Sequence, residues 1–176
     1  MESESARMSS AAEARFRIDY PNSEPRVIKV VALDETSERV VKRVAQQAWQ
    51  RANFFTSLKF GGTEGTGSEG WSIKPGAMKA WLSDLAGRTK ALIEEVASAD
   101  LVVMVASAGT SAGAASVIGE ACAARKVMTT ALIIASAQRS DDDLSKTLAA
   151  LRPYASMLVI ASGDEYIEEM LAALRA

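Results

Sequence analysis

Four short apolar runs, each bounded by charged or turn-forming residues, most constrain what this chain can fold into. They are RVIKVVAL at 26–33, LVVMVAS at 101–107, VMTTALIIA at 127–135 and MLVIA at 157–161. All are too short to cross a bilayer. Their apolar positions are nearly continuous rather than alternating, the pattern of strands covered on both faces. Between and after them lie stretches with helical spacing, at 36–52, 78–98, 114–125, 141–151 and 164–175. In the first of these, Val40, Val44 and Ala48 run beside Val41, Ala45 and Trp49, while Arg39, Lys42, Arg43, Gln46 and Gln50 fill the other side. Asp141, Asp142 and Asp143 suit the positive end of a helix, and Ile167, Met170, Leu171 and Leu174 share one face of the last. A further strand is expected at 53–60. Strands alternating with helices predict an α/β three-layer sandwich with a mostly parallel central sheet.

A chain of 176 residues suits one domain with a sizeable core, and 26–176 reads as a single α/β domain. Residues 1–25 read as a solvated tail. Within it Phe16, Ile18 and Tyr20 alternate with charged residues, so 15–20 has the period of an edge strand for the sheet or for a partner. The tail has no apolar run of the secretory or membrane-spanning kind. The single cysteine, Cys122, permits no intrachain disulfide, and a cytoplasmic setting is expected. With 20 Lys and Arg against 22 Asp and Glu, the overall field favours neither nucleic acid nor an anionic membrane as partner. The absence of histidine removes the usual general base and the commonest metal ligand, so no metal site is expected. Cys122 sits in an alanine-rich helical stretch and reads as a small core side chain before a reactive thiol.

Residues 61–76 (GGTEGTGSEGWSIKPG) have no regular pattern. A loop of that length is either a lid or binding segment, or simply disordered. Trp71 and Trp81 near it read as core residues or as stacking surfaces. Arg139 reads as an anion contact or as a partner for Asp141 to Asp143.

In open α/β sheets ligands gather at the C-terminal ends of strands, which here directs attention to the loops after Leu33, Ser107 and Ala161. The middle loop, SAGTSAGAAS at 107–116, combines small side chains and hydroxyls with the start of a helix. Ser107, Gly109, Thr110, Ser111, Gly113 and Ser116 are the candidate anion-binding residues. Small residues also let a helix pack closely on a sheet, and Ser or Thr often only caps. The loop is neither of the common glycine-rich phosphate motifs and brings no lysine. The acids Asp34, Glu35 and Asp164 form a second candidate set. Asp34 and Glu35 read first as a helix start, worth about 0.3–1 kcal/mol each, and second as acid or base for a small anionic substrate. With Glu38 they also have the composition of a divalent-cation site, although closely spaced acids are more often a solvated helix start.

The succession Ala99, Asp100, LVVMVA, AGTSAG, then Ala114, Ala115, Ser116 and VIGEACAARKVMTTALII resembles the nucleotide-binding (GTPase) domain of the FtsZ/tubulin family. In that pattern an apolar strand leads to a glycine-threonine phosphate loop and a helix. IKVVALDETSERVVKRV resembles the family's first strand, loop and helix, and MLVIASGDEYIEEML the strand before its central helix, so about residues 26–171 can be laid on the pattern. The resemblance implies an FtsZ/tubulin GTPase-domain-like, Rossmann-like fold. Where the family has a glycine run, this chain has Asp34, Glu35, Thr36, Ser37 and Glu38, whose carboxylates would repel a polyphosphate. Ser111 and Ala112 stand where the family has a glycine and a threonine, which crowds close approach. The family's central helix, acidic loop and C-terminal domain fall beyond Ala176 in this pattern, so hydrolysis in trans and filament growth are expected to be lost. The resemblance thus implies a non-catalytic pseudo-GTPase domain with no catalytic residue and no cofactor beyond a phosphate-bearing ligand. Two other readings stay open: an oligomerising scaffold, as a homo-oligomer or with a protein partner, and a small-molecule enzyme using the strand-end carboxylates.

Overall fold

The first three apolar runs become the centre of a sheet and the fourth its outer strand. The computed structural model describes residues 25–57, 81–84, 89–110, 112–135, 140–161, 165–174 and 176. The expected tail strand at 15–20 and the loop at 61–76 lie outside them, as do Trp71, Ser111, Arg139 and Asp164. In chain order the elements are β1 (Ile28–Ala32), α1 (Glu35–Val44), β2 (Ala52–Thr56), β3 (Trp81–Asp84), β4 (Thr89–Ala91), α2 (Leu92–Ala97), β5 (Leu101–Ser107), α3 (Ala114–Arg125), β6 (Met128–Ile134), α4 (Asp141–Leu151), a 3-10 turn (Arg152–Tyr154), β7 (Met157–Ala161) and α5 (Glu165–Ala173). They build a seven-stranded sheet in the order β4-β3-β2-β1-β5-β6-β7. Strands β2, β1, β5, β6 and β7 are mutually parallel, whereas at one edge β3 runs antiparallel to both of its neighbours, β2 and β4.

Burial on both faces explains the continuous apolar runs of β1, β5 and β6, whereas in β7 only Ala161 is buried. Successive side chains of a strand point to opposite faces. Val31, Met104 and Ile133 therefore pack with Leu92 of α2, Ile118 of α3 and Leu151 of α4. Their neighbours Val30, Val103 and Leu132 pack with Val41 of α1 and with Ile167 and Leu171 of α5. Full burial of each such aliphatic side chain contributes roughly 1.5–3 kcal/mol. Helices on both faces of a mostly parallel sheet define an α/β fold of the Rossmann-like class.

Two elements differ from expectation. The stretch 78–98, expected to be helical, contains β3 and β4 among its described residues, with helix only at Leu92–Ala97. The pairing of Phe55 with Asp84 and of Trp81 with Ala91 sets this edge, so long-range ladder bonds override local helical spacing. Helix α1 stops at Val44 rather than near Ala52. The Trp49 indole folds back to donate Nε1–H to the Val44 carbonyl at 2.8 Å, and its ring meets Phe54 at a centroid distance of 6.4 Å. The Val44 carbonyl thus accepts from the indole as well as from the Gln47 amide at 3.2 Å, in a last turn that tightens beyond the α-helix.

Helix α3 crosses the 3-10 turn at Gly119, where an added Cβ would stand 2.5 Å from Tyr154 Cβ and 2.9 Å from its Cδ1. Alanine gains about 0.8–1 kcal/mol over glycine in a helix interior. Forcing a methyl against another residue's Cβ costs about 1–3 kcal/mol. Gly119→Ala should therefore lower the thermal midpoint despite its better helix propensity; a raised midpoint would contradict the close approach.

Candidate anion-binding site

Strand β2 lies on one side of β1 and β5 on the other, so the chain reverses direction across the sheet between β1 and β5. Side by side at this switch point are the loops that follow the two strands. Asp34, the N-cap of α1 and only 8% exposed, stands between them. Its Oδ1 accepts from the Ser37 amide at 2.9 Å and from Ser107 Oγ at 3.0 Å. Its Oδ2 accepts from the Ser107 amide at 2.7 Å and lies 3.1 Å from Thr110 Oγ1. The Thr110 hydroxyl has one proton, and the Ser107 carbonyl at 2.6 Å is the nearer acceptor. Ser37 Oγ accepts from the Asp34 amide at 3.1 Å and so completes a capping box.

Asp34 is thus a cap that also ties the first loop to the middle one. The rest of the acidic set does not gather around it. Glu35 is exposed, Glu38 pairs with Lys42 at 2.6 Å, and Asp164 lies outside the described residues. No cluster of metal-ligating side chains occurs among the described residues.

The middle loop commits many of its own donors. The Ala108 amide donates to the Ile134 carbonyl at 3.0 Å and the Thr110 amide to the Ser107 carbonyl at 3.2 Å. The Gly109 amide donates to Thr147 Oγ1 of α4 at 2.9 Å. Gly109 has φ 81°, a left-handed conformation that glycine adopts at no steric cost. Ser107, Gly109 and Thr110 therefore serve the loop's own architecture.

The start of α3 is different. Its N-cap is Gly113, with no side-chain capping bond, and its first turn carries no acid. Ser116 Oγ donates back to the Gly113 carbonyl at 3.1 Å. The first amides of any α-helix lack intrahelical acceptors and form its positive end. In α1 that end meets Asp34, Glu35 and Glu38. In α4 it meets Asp141, Asp142 and Asp143, with the Ser140 hydroxyl accepting from the Asp143 amide.

Helix α3 instead opens on a cavity of about 460 Å³. It is lined by Gly109, Thr110, Ala112, Gly113 and Ser116 from the middle loop and the start of α3, by Lys146 and Ala150 of α4, and by Tyr154. Lys146 and Thr147 are the contributors that loop-by-loop reading of the sequence misses, because helix packing rather than any local motif brings α4 to this loop.

Cys122, on α3, is fully buried in the core cluster. Burial pushes its thiol from 9.0 up to about 11, since the uncharged form suits an apolar site. Native protein near neutral pH should leave Cys122 unmodified by a disulfide reagent, with full reaction only on unfolding. The raised folded-state value also fixes a sign. This residue's contribution to stability is complete below about pH 9 and is lost as pH rises toward 11.

The fold and its switch-point loops define a protein of the α/β Rossmann-like class. Neither a protein-family model nor a curated protein matches the chain. No helix among the described residues is long and apolar enough to cross a membrane.

Proposed function

We propose that this chain is a non-hydrolysing ligand-binding domain that takes a small phosphate-bearing anion in the cavity at the start of α3. The observation that carries this reading is the start of α3, where the described residues supply neither a side-chain cap nor an acid in the first turn, although the Ala115 amide is taken by the Ala112 carbonyl at 2.9 Å; it lines one cavity with Lys146. A helix end and one ammonium suit one phosphate group, held by amide donors and a point charge. A triphosphate would have to extend toward the β1 loop, where the Asp34 carboxylate is hydrogen-bonded into place. Its charge repels further phosphates. From the FtsZ/tubulin resemblance the reading takes the position of the loop and the loss of GTP chemistry, as in a pseudo-GTPase.

Thermal unfolding with inorganic phosphate, a simple phosphomonoester and magnesium-GTP tests it, because a ligand that binds only the folded state must stabilise it, by about 2.7 kcal/mol at a hundredfold excess over Kd. The phosphomonoester should raise the midpoint, Lys146→Glu should remove the rise, and GTP should not turn over. No shift with any phosphate, or measurable GTP hydrolysis, would sink the proposal. The enzyme reading through Asp34 and Glu35 is weaker, because the Asp34 oxygens are already engaged by loop donors.

A further inference from the structure

We infer that the outer edge of β7, the last strand of the sheet among the described residues, is a self-association surface, occupied by β7 of a second copy of this chain running antiparallel. The inference is independent of the anion-site reading. Among the described residues β7 is the last strand of the sheet, so one row of its backbone N–H and C=O groups points away from β6 and suits pairing with another strand.

The two edges of the sheet are built differently. At the other end, β4 spans only Thr89–Ala91 and carries the exposed Lys90, a short charged edge that resists pairing with its own copy. Strand β7 is MLVIA, preceded by Ala155 and Ser156, and has neither charge nor proline. Self-pairing there brings no like charges together.

The exposed apolar side chains point to the same place. Among the described residues the exposed large hydrophobics are Met128, Met157, Ile160 and Tyr166, and they lie on β6, β7 and α5 at this end of the sheet. Ile160 is 48% exposed and Met157 is 45% exposed, on opposite faces of β7 by strand alternation.

A two-fold axis through Val159, perpendicular to the sheet, keeps each face matched to itself. Ile160 then pairs with Leu158 of the second copy, Met157 with its Ala161, and Val159 with its Val159. Such an arrangement is self-complementary, as an isologous contact requires, and directly opposed apolar side chains on paired strands attract. One strand pair with flanking residues buries on the order of 1,200 Å² or less, the range of weak complexes, so the dimer should form reversibly in the micromolar range.

Sedimentation velocity on the full chain, from low to high micromolar concentration, is the test. The wild type should shift from monomer to dimer. Ile160→Lys and, separately, Met157→Glu alter side chains already exposed to solvent, and should keep the wild-type thermal midpoint while remaining monomeric; Lys90→Ala at the other edge should leave the dimer intact. Wild type that stays monomeric at the highest concentration overturns the inference. So does a dimer that survives both edge substitutions, or a different protein found paired to β7 in place of the second copy.

Discussion

Asp34→Ala should cost about 2–4 kcal/mol of unfolding free energy, the sum of a lost N-cap and a buried amide left without its acceptor. The cap is the Oδ1 bond from the Ser37 amide, and the orphaned amide is that of Ser107, which is 5% exposed and now donates to Oδ2 at 2.7 Å. Asparagine caps nearly as well as aspartate, so Asp34→Asn should keep the α1 start. Its NH2 group, however, must face Ser107 or Ser37 donors where an oxygen now accepts, and its loss should lie between zero and that of alanine. Urea midpoints of the two variants check the order. If alanine falls within about 0.5 kcal/mol of wild type, as an ordinary surface substitution does, the tie between the two loops is not what holds them.

The second large effect involves a charge inside the sheet. Lys29, on β1, has a side chain only 7% exposed, and its Nζ reaches Glu95 Oε2 of α2 at 2.8 Å. It also reaches Asn53 Oδ1 of β2 at 2.9 Å and lies 5.8 Å from the centre of the Phe55 ring. Removing one partner of a fully buried ion pair costs about 3–5 kcal/mol, whereas an apolar replacement of the charged residue is often neutral or stabilising. Glu95 retains 20% exposure and Asn53 stays in place, so Glu95→Ala should lose about 2–3 kcal/mol, below the fully buried range. Lys29→Met, which keeps the buried stem and removes the charge, should change stability by no more than about 1 kcal/mol in either direction. The contrast between the two variants in denaturant unfolding is the readout. Equal losses would mean that packing of the lysine stem, rather than the stranded charge, sets the cost.

How far the sequence reveals the fold depends on what fixes each element. Strands β5 and β7 and helices α3 and α4 have the residue limits expected from the sequence. Local signals mark them: near-continuous apolar runs in the strands, and Ser140 with the acids after it at the start of α4. The face of α5 is likewise legible, with Ile167, Met170 and Leu171 buried and Leu174 packed against the same cluster. Where partners lie far along the chain, local signals mislead. The edge strands follow from the pairing of β3 with β2 and of β4 with β3.

The candidate site divides in the same way. The middle loop and the acids after β1 are visible as separate features, but the bond from Ser107 to Asp34 spans 73 residues and no spacing rule announces it. Lys146 reaches the cavity only because α4 packs beside α3. The sequence therefore shows the carboxylates but not that one of them is consumed as a structural bridge, and it shows a loop without lysine while the fold supplies one from elsewhere.

Backbone amide chemical shifts, followed while inorganic phosphate is added to the isotopically labelled full chain, test the anion site most directly. Saturable changes centred on Gly113 and Ala114, and absent in Lys146→Glu, are the expected result. Shifts that never saturate, or that centre on another part of the fold, would contradict the assignment of the α3 start as an anion-binding site.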